Sequence, residues 1–287
     1  MKNRLLPNLG TQTYVMGIIN LTSDSFSGDG ILQQADPIHA ALEQARQFLR
    51  DGADILDLGA ESTRPAALPV SAEEEMERLL PVLESLVVQF PDALLSVDTY
   101  KASVAEACLK AGVQIINDVW GFRMDPEMAS VVAQFGATAV LMHNRATPYQ
   151  TESSPSLGGR YVDVAYRDIL EEVKRGLLDS VEIAKNAGVT DDAIILDPGI
   201  GFGKTTRQNL QLLQNLDQLT DLGFPILLGV SRKSFIGYTL DLPPGERLEG
   251  SLAANAYGIL HGADIVRVHD VRETARLAKM LDAIRNV

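Results

Sequence analysis

Eight short apolar segments recur along this chain, and each is followed by polar residues. The first, Tyr14–Asn20, is rich in branched side chains and has no helical period, which is typical of a strand buried on both faces. The others have the same character: Asp54–Gly59, Leu94–Asp98, Gln114–Val119, Ala137–His143, Ile194–Asp197, Pro225–Val230 and Asp264–Val268. The pattern therefore predicts eight strands of one parallel sheet.

Helical periodicity fills the stretches between the strands. In Ala35–Arg50, for example, Ile38, Leu42, Ala45 and Leu49 recur on one helical face. The other predicted helices are Ala72–Gln89, Lys101–Ala111, Pro126–Phe135, Val162–Ala187, Arg207–Leu222, Leu248–Leu260 and Arg272–Arg285. Regular alternation of strand and helix predicts an α/β fold, a single (β/α)8 TIM barrel over residues 1–287. An open doubly wound sheet is the alternative.

The connections between these elements differ at the two ends of the predicted barrel. Six helices are followed by a glycine just before the next strand, and glycine readily adopts the left-handed conformation that ends a helix. These glycines are Gly52, Gly112, Gly136, Gly188, Gly223 and Gly262. The connections that leave the strands are longer and more polar, so we expect the active site at the C-terminal ends of the strands. The longest of them, Asn144–Arg160, is expected to be either a mobile lid or a disordered insertion.

Composition limits the possible partners. The net charge of −13 argues against nucleic acid or an anionic membrane surface as a partner. No run of 18 apolar residues and no apolar signal segment is present, and the single cysteine, Cys108, fits a reducing compartment. We therefore expect a cytoplasmic protein that acts on small molecules, with Cys108 as a small buried hydrophobic residue.

Polar side chains follow the predicted strands. They are Asn20, Glu61, Ser62, Thr63, Arg64, Asp98, Asn117, Asp118, His143, Asp197, Ser231, Arg232, Lys233, Arg267, His269 and Asp270. Any one of them could instead cap a helix or anchor a loop. In a barrel, however, they would converge on one pocket.

This predicted pocket contains two chemical groups of residues. Asp98, Asn117, Asp197 and Lys233 suit a flat heterocycle that presents several N–H donors and a carbonyl. Arg64, Arg267 and His269 suit a phosphate or diphosphate. Asn20 adds a neutral oxygen ligand for a hard cation such as Mg²⁺.

A glycine-rich stretch after the sixth strand is not a phosphate-binding loop. In Asp197–Thr205 a proline, Pro198, occupies the place of the first Walker A glycine, and Lys204 occupies that of the last glycine in the dinucleotide fingerprint. We therefore interpret the stretch as a flexible exit loop that lets Asp197 face the pocket.

Eight motifs in this chain resemble those of the dihydropteroate synthase family, in the same order. They are M-G-I-I-N-L-T-S-D-S-F-S, E-S-T-R-P, S-V-D-T-Y-K, I-I-N-D-V, L-M-H, D-P-G-I-G-F-G-K, G-V-S-R-K-S and R-V-H-D-V, between residues 16 and 271. The resemblance implies a TIM-barrel transferase of folate biosynthesis and a homodimer. Such an enzyme joins 6-hydroxymethyl-7,8-dihydropterin diphosphate to 4-aminobenzoate and releases pyrophosphate.

The resemblance also implies roles for particular residues. Positions matching Asp98, Asn117, Asp197 and Lys233 hold the pterin in that family. Positions matching Asn20, Arg64, Arg267 and His269 hold the diphosphate and Mg²⁺, with Asn20 as the metal ligand. Positions matching Thr63, Arg64, Phe202, Ser231 and Lys233 accept the aminobenzoate. Lys233, Arg64, Arg267 and His269 form the expected catalytic set, and no general base is needed because an aromatic amine is neutral at pH 7.

Some positions depart from the family pattern. Glycine is usual at the positions of Ala60 and Ala66, and proline is usual at that of Ser23. The sequence after His143 also differs from the usual continuation. These changes concern the loops near the second-substrate site. Two rival functions are a methyltetrahydrofolate-dependent methyltransferase and a pterin-binding protein without activity; a Schiff-base aldolase using Lys233 is more distant.

Overall fold

Eight parallel strands form one sheet around which the rest of the chain is arranged. The computed structural model describes residues 3–22, 30–62, 69–146, 150–154 and 156–287. In chain order the strands of the described residues are β1 (Tyr14–Asn20), β2 (Ile55–Gly59), β3 (Leu94–Asp98), β4 (Ile115–Asp118), β5 (Thr138–Met142), β6 (Thr151–Ser154), β7 (Gly158–Tyr161), β8 (Ile194–Asp197), β9 (Leu227–Leu228) and β10 (Ile265–Val268), and all of them except β6 and β7 belong to this sheet. The sheet order is β8-β5-β4-β3-β2-β1-β10-β9, and a parallel bridge between Leu196 and Ile226 joins its two edges. The predicted (β/α)8 barrel is thus confirmed.

Helices connect the strands on the outside of the sheet. They are α1 (Pro37–Asp51), α2 (Ala72–Gln89), α3 (Ala102–Lys110), α4 (Met128–Phe135), α5 (Ile169–Asn186), α6 (Thr206–Gln214), α7 (Asp217–Thr220), α8 (Ser234–Leu240), α9 (Leu248–Leu260) and α10 (Val271–Arg285). All six glycines predicted to end helices have φ between 59° and 108°, as the left-handed conformation requires. In the described part of the chain, no helix is long and apolar enough to cross a membrane.

Three helix predictions were wrong in detail. The helix predicted from Val162 begins only at Ile169, because the Asp168 side chain accepts hydrogen bonds from the backbone N–H groups of Leu170 and Glu171. The helix predicted over Arg207–Leu222 is divided into α6 and α7. The seven-residue α8 was not predicted, because it is too short to show a repeated apolar face.

The interior of the barrel is filled in layers by alternate residues of the strands. A buried apolar cluster includes Met16, Ile55, Ile115, Ile195 and Ile265. Because side chains alternate across a strand, the residues two positions further along also point inward. These residues are mostly polar, and they carry the site described below.

A larger apolar cluster lies between the outside of the sheet and the helices. Cys108 is completely buried in it, as predicted, and burial raises the pKa of its thiol to about 12.

The stretch Asn144–Arg160 contains regular structure that the sequence analysis did not predict. Strands β6 and β7 form an antiparallel hairpin in the connection between β5 and α5. Glu152 pairs with Arg160 across the hairpin, both in register and through a 2.8 Å ion pair. The described part of this insertion is therefore folded, so the alternative of a disordered insertion was wrong there, and the alternative of a mobile lid stays a prediction.

Candidate functional site

A cavity of about 350 Å³ opens at the C-terminal ends of the barrel strands. Its lining includes Asn20 from β1, Asp98 from β3, Arg267 from β10 and Lys233 from the loop after β9. The hairpin β6–β7 contributes a further part of the wall. The position is that expected for the active site of a barrel enzyme.

Arg267 is the centre of a buried network of charges. Its Nε donates to Oδ2 of Asp57 at 2.6 Å, and its Nη2 donates to Oδ2 of Asp98 at 2.8 Å. Asp57 is completely buried, and it also accepts from the Ser96 hydroxyl at 2.5 Å and from the Asn117 amide at 3.4 Å. A guanidinium group has five N–H donors, so donors remain for an anionic ligand.

The pKa of the Asp98 carboxyl group lies close to neutral pH. Burial raises its pKa to about 7, with Arg267 opposing the rise and the nearby Asp57 adding to it. Since the group exchanges a proton near physiological pH, it can serve as an acceptor or, when protonated, as a donor.

Asp197 and Lys233 form the second charged part of the site. Burial raises the pKa of Asp197, and the charge of Lys233 partly offsets this effect. Burial lowers the pKa of Lys233 to about 8, although Asp197 works in the opposite direction. Lys233 Nζ donates to the carbonyl of Ile200 and lies 4.7 Å from the ring centre of Phe202.

The glycine-rich loop that follows β8 wraps around the side chain of Lys204, which donates hydrogen bonds to two of its carbonyls. The Nζ atom of Lys204 donates to the carbonyls of Gly199 at 2.8 Å and Phe202 at 3.0 Å. A Cβ atom on Gly199 would lie 1.9 Å from the carbonyl oxygen of His143, so this close approach requires glycine. The glycines thus allow tight packing around a buried lysine, a role that the interpretation as a flexible exit loop did not include, and the flexibility itself stays a prediction.

One oxygen of Asp197 takes part in this loop. Its Oδ1 accepts the backbone N–H of Gly199 at 2.7 Å. A polar residue at a strand end could anchor a loop instead of recognising a ligand. For Asp197, one oxygen of the carboxylate anchors the loop. A Cβ atom on Gly229 would lie 4.0 Å from Asp197 Oδ2 and 3.7 Å from Lys233 Nζ, so glycine leaves open the space between β9 and these two groups.

Ser231 and His269 contact each other in the lining of the cavity. The backbone N–H of His269 donates to Ser231 Oγ at 3.2 Å, and Nδ1 of its ring lies 3.0 Å from the same oxygen. Between Ser231 and Lys233, Arg232 adopts a left-handed φ of 56°, which is uncommon outside glycine and recurs at functional sites. Two side chains used by the predicted site therefore flank a constrained residue.

Other polar residues at the strand ends have structural partners. Asp118 accepts from the backbone N–H groups of Trp120 and Phe122, at 2.7 and 2.9 Å. Asp270 pairs with Arg232 at 2.5 Å, and Glu61 accepts from Tyr100 at 2.8 Å. These contacts stabilise the loops around the cavity.

His143 is buried and does not line the cavity. Its pKa is lowered to about 2, mainly by burial and secondly by the charge of Lys204. The ring is therefore neutral, with its Nδ1 available to accept a hydrogen bond from Lys204 at 3.1 Å.

The structure brings together most of the predicted site residues. Seven of them line the cavity: Asn20, Asp98, Phe202, Ser231, Lys233, Arg267 and His269. The buried Asn117 contacts Asp57 of the Arg267 network, and the buried Asp197 lies beside Lys233 at Gly229. Thr63 and Arg64 lie outside the described residues, so their predicted roles stay predictions. The positions of Ser23 and Ala66 also lie outside the described residues.

Sequence reasoning missed three residues that organise the site. Asp57 interrupts the apolar run I-L-D-L-G, and a charged residue inside a buried strand was the available signal. Lys204 was considered only as part of a phosphate-loop pattern. Arg247, which is 2% exposed, lies in a polar segment that gives no sign of its burial.

The donor set for a metal ion is small. In the parts of the chain that the structure describes, no group of three acidic, histidine or cysteine side chains could enclose a metal ion. Asn20 lines the cavity and offers one neutral amide oxygen, which fits a hard cation whose other ligands come from a bound diphosphate and water. The residues therefore fit Mg²⁺ carried by a substrate rather than a preformed metal cage.

Comparisons with known proteins agree with this geometry. The family described as "Pterin binding enzyme" matches residues 16–269. The chain is 46% identical over 278 residues to "Dihydropteroate synthase" of Clostridium beijerinckii, covering 96% of both proteins. It is 49% identical over 275 residues to "Dihydropteroate synthase" of Bacillus subtilis, covering 96% of this chain and 90% of the relative. A dihydropteroate synthase structure from Clostridium difficile, solved in the presence of pteroic acid, superposes with a TM-score of 0.85 at 45% identity, covering 96% and 98% of the two chains.

Proposed function

The chain belongs to the dihydropteroate synthase family of pterin-binding enzymes, and we propose which of its residues bind the substrates and stabilise the leaving group. As a member of that family it is a transferase that joins 6-hydroxymethyl-7,8-dihydropterin diphosphate to 4-aminobenzoate. The observation on which the assignment rests is the buried network around Arg267. In that network Arg267 binds the carboxylates of Asp57 and Asp98, and it lines the same cavity as Ser231 and His269.

The pterin is recognised by the buried carboxylates. A dihydropterin presents an exocyclic amine and an adjacent ring N–H as parallel donors, and a carboxylate offers two acceptors at a matching spacing. Asp197 suits this edge, since its Oδ2 lies near the open space above Gly229. Asp98, Asn117 and Lys233 supply the remaining polar partners of the ring.

The diphosphate is bound and then released at the rim of the cavity. Substitution at the pterin methylene forms a C–N bond to the amine and breaks the C–O bond to the diphosphate, and the new ammonium nitrogen then loses one proton to water or to the released pyrophosphate. Negative charge grows on the departing group, and Arg267 and His269 are placed to stabilise it. Arg64 is assigned to the same task by its sequence motif.

Mg²⁺ would be held by Asn20 together with the diphosphate. When bound, it supplies neutralisation of the charge on that leaving group. Because the protein offers a neutral ligand, we expect weak Mg²⁺ binding to the free protein and much tighter binding in the presence of pyrophosphate. Calorimetry with and without pyrophosphate tests this point, and equal affinities would reject Asn20 as a metal site.

The aminobenzoate is accepted beside Phe202 and Ser231, which line the same cavity, and beside Thr63 and Arg64 in their motif. Pteroic acid, present with the related structure, contains a pterin and an aminobenzoate in one molecule. Its presence there supports adjacent sites for the two reactants. Since an aromatic amine attacks without prior deprotonation, no side chain is assigned as a general base.

The activity is tested by the release of pyrophosphate. Purified protein with both substrates and Mg²⁺ should release pyrophosphate and form 7,8-dihydropteroate, and omission of 4-aminobenzoate should stop the release. Pterin binding without pyrophosphate release would reject the transferase activity. Methyl transfer from methyltetrahydrofolate would support the rival function.

A homodimer and a cytoplasmic location remain proposals. Leu260 at the end of α9 and Met280 and Ile284 on the neighbouring α10 are between 56% and 62% exposed. Exposed apolar side chains on adjacent helices suit a protein interface. Light scattering after size exclusion would test for the dimer, and a monomer at micromolar concentration would reject it.

A further inference from the structure

The β6–β7 hairpin forms part of the wall of the cavity although it lies in a connection between barrel elements. Of its residues, Thr151, Glu152, Ser153, Leu157, Gly158 and Gly159 line the cavity. Leu157 is the only one of these with a sizeable apolar side chain. The cavity of about 350 Å³ is near the lower end of the range for small-molecule sites, so a wall of this size affects what fits.

Arg247 fastens the hairpin to the barrel. Its Nη2 donates to the carbonyl of Leu157 at 2.9 Å, and its Nη1 donates to the carbonyl of Arg232 at 3.0 Å. Its Nε donates to the carbonyl of Leu242 at 3.0 Å. One buried guanidinium thus joins three separate segments. A Cβ atom on Gly237 would lie 2.1 Å from Nη2, so glycine at this position of α8 leaves space for the guanidinium.

Tyr238 provides a second attachment. Its hydroxyl donates to the carbonyl of Gly158 at 3.0 Å, and the guanidinium of Arg160 lies 4.5 Å from the centre of its ring. Both contacts reach β7 from helix α8. The hairpin is therefore attached at two neighbouring carbonyls, those of Leu157 and Gly158, and at one side chain.

These attachments place Leu157 on the side of the cavity proposed for the second substrate. The carbonyl groups of Arg232 and Leu157 both accept hydrogen bonds from the guanidinium of Arg247. Arg232 lies between Ser231 and Lys233 in the sequence. The hairpin backbone is consequently held next to the segment to which aminobenzoate recognition is assigned, and both line the same cavity.

We propose that the β6–β7 hairpin limits the length of the para substituent on the aromatic amine that this enzyme accepts, with Leu157 as the specificity-determining residue and Arg247 and Tyr238 as positioning residues. The proposal rests on the proposed function, since it concerns the second substrate of that reaction. A fixed wall beside Ser231 admits the carboxylate of 4-aminobenzoate and excludes longer acyl groups.

The test compares two aromatic amines that differ only in this substituent. 4-Aminobenzoate and 4-aminobenzoylglycine are each titrated against pyrophosphate release, and selectivity is the ratio of their kcat/KM values. Failure of the wild-type protein to turn over 4-aminobenzoate would overturn the proposed function. Normal turnover of 4-aminobenzoate leaves the hairpin proposal to be decided by the variants.

Substitutions at Leu157 should change the selectivity in opposite directions. L157A keeps the backbone carbonyl that Arg247 binds and should lower the ratio about 10-fold, the lower end of what a methylene-sized change in a pocket produces. L157W should raise the ratio. S156A is the matched control, because Ser156 is exposed, lies on the same hairpin and does not line the cavity. An unchanged ratio in both Leu157 variants would overturn the proposal.

The positioning residues are tested by the same ratio. Y238F removes one hydrogen bond but keeps the ring beside Arg160, and R247K keeps a charge that cannot span three carbonyls. Both should lower the selectivity while the KM for the pterin diphosphate stays within about twofold of wild type. A lower melting temperature with unchanged selectivity would show a purely structural role and overturn the assignment of these two residues.

Discussion

Lys204 Nζ lies 3.1 Å from Nδ1 of His143, and both side chains are almost completely buried. The same ammonium or amine group contacts the carbonyls of Gly199, Phe202 and His143. It therefore joins the end of β5 to the loop after β8. That loop also carries Ile200 and Phe202, which contact Lys233, so the buried pair holds a loop that contacts a lysine of the proposed active site.

Replacement of Lys204 by methionine should destabilise the fold. K204M keeps much of the side-chain volume but leaves buried carbonyls without a donor, and each such group costs roughly 1–3 kcal/mol. We expect the free energy of unfolding to fall by about 2–6 kcal/mol in denaturant titrations. K110M is the control, because Lys110 forms only an exposed pair with Glu106 and should contribute less than about 1 kcal/mol. Similar small losses in both variants would show that the buried contacts contribute little.

Pterin binding should depend on pH through Asp98. Since burial raises the pKa of Asp98 to about 7, lowering the pH below 7 protonates the carboxylate that we propose accepts from the pterin. Affinity for 6-hydroxymethyl-7,8-dihydropterin should therefore weaken by up to about 10-fold per pH unit as the pH falls from 7. Above about 8, Lys233 loses its charge, and affinity should change again. Calorimetric titrations between pH 5.5 and 8.5 measure this dependence. In D98N the affinity for the pterin should not fall as the pH is lowered below 7.

Removal of Arg267 should reduce both turnover and stability. Loss of a charge-assisted contact with the leaving group is worth roughly 1.5–3 kcal/mol, or about 10- to 150-fold in rate. R267A also leaves Asp57 buried without its ion-pair partner, which typically costs about 3–5 kcal/mol. The sequence motif alone predicts a nearly unchanged melting temperature for R267A. Because Arg267 pairs with the buried Asp57, we expect a lower melting temperature instead.

A double variant separates the two effects of Arg267. R267A/D57N removes the unpaired buried charge, so its free energy of unfolding should recover relative to R267A while its turnover stays low. Recovery of both properties would show that Arg267 acts only through the fold, and recovery of neither would contradict the importance of the Asp57 contact.

Substitution of Asp197 should affect the pterin and spare the diphosphate. D197N replaces one acceptor with a donor that faces the donors of the pterin edge. The cost should be roughly 2–4 kcal/mol, or about 30- to 1000-fold in pterin affinity. The amide oxygen can still accept from the N–H of Gly199, so the loop should keep its conformation. Separate titrations with a pterin and with pyrophosphate measure the two sites, and parallel loss of both would show that Asp197 serves the loop alone.

The sequence by itself determined the barrel and the location of its site. Strand and helix follow from apolar periodicity, a local property of the chain, and the glycines after six helices follow from the left-handed geometry of the helix end. Because the C-terminal ends of parallel strands meet at one end of a barrel, residues such as Asn20, Asp98 and Arg267 could be expected together before any contact was known.

Only the tertiary structure decided which polar groups are partners. Asp57 and Arg267 are separated by 210 positions, and no spacing in the sequence connects them. Lys204 and Arg247 belong to glycine-rich or polar segments, yet each is buried against a carbonyl group from a distant segment, that of His143 for Lys204 and that of Leu157 for Arg247. Burial removes water as an alternative partner, so these pairings depend on how whole elements pack, and local patterns of residues do not carry that information.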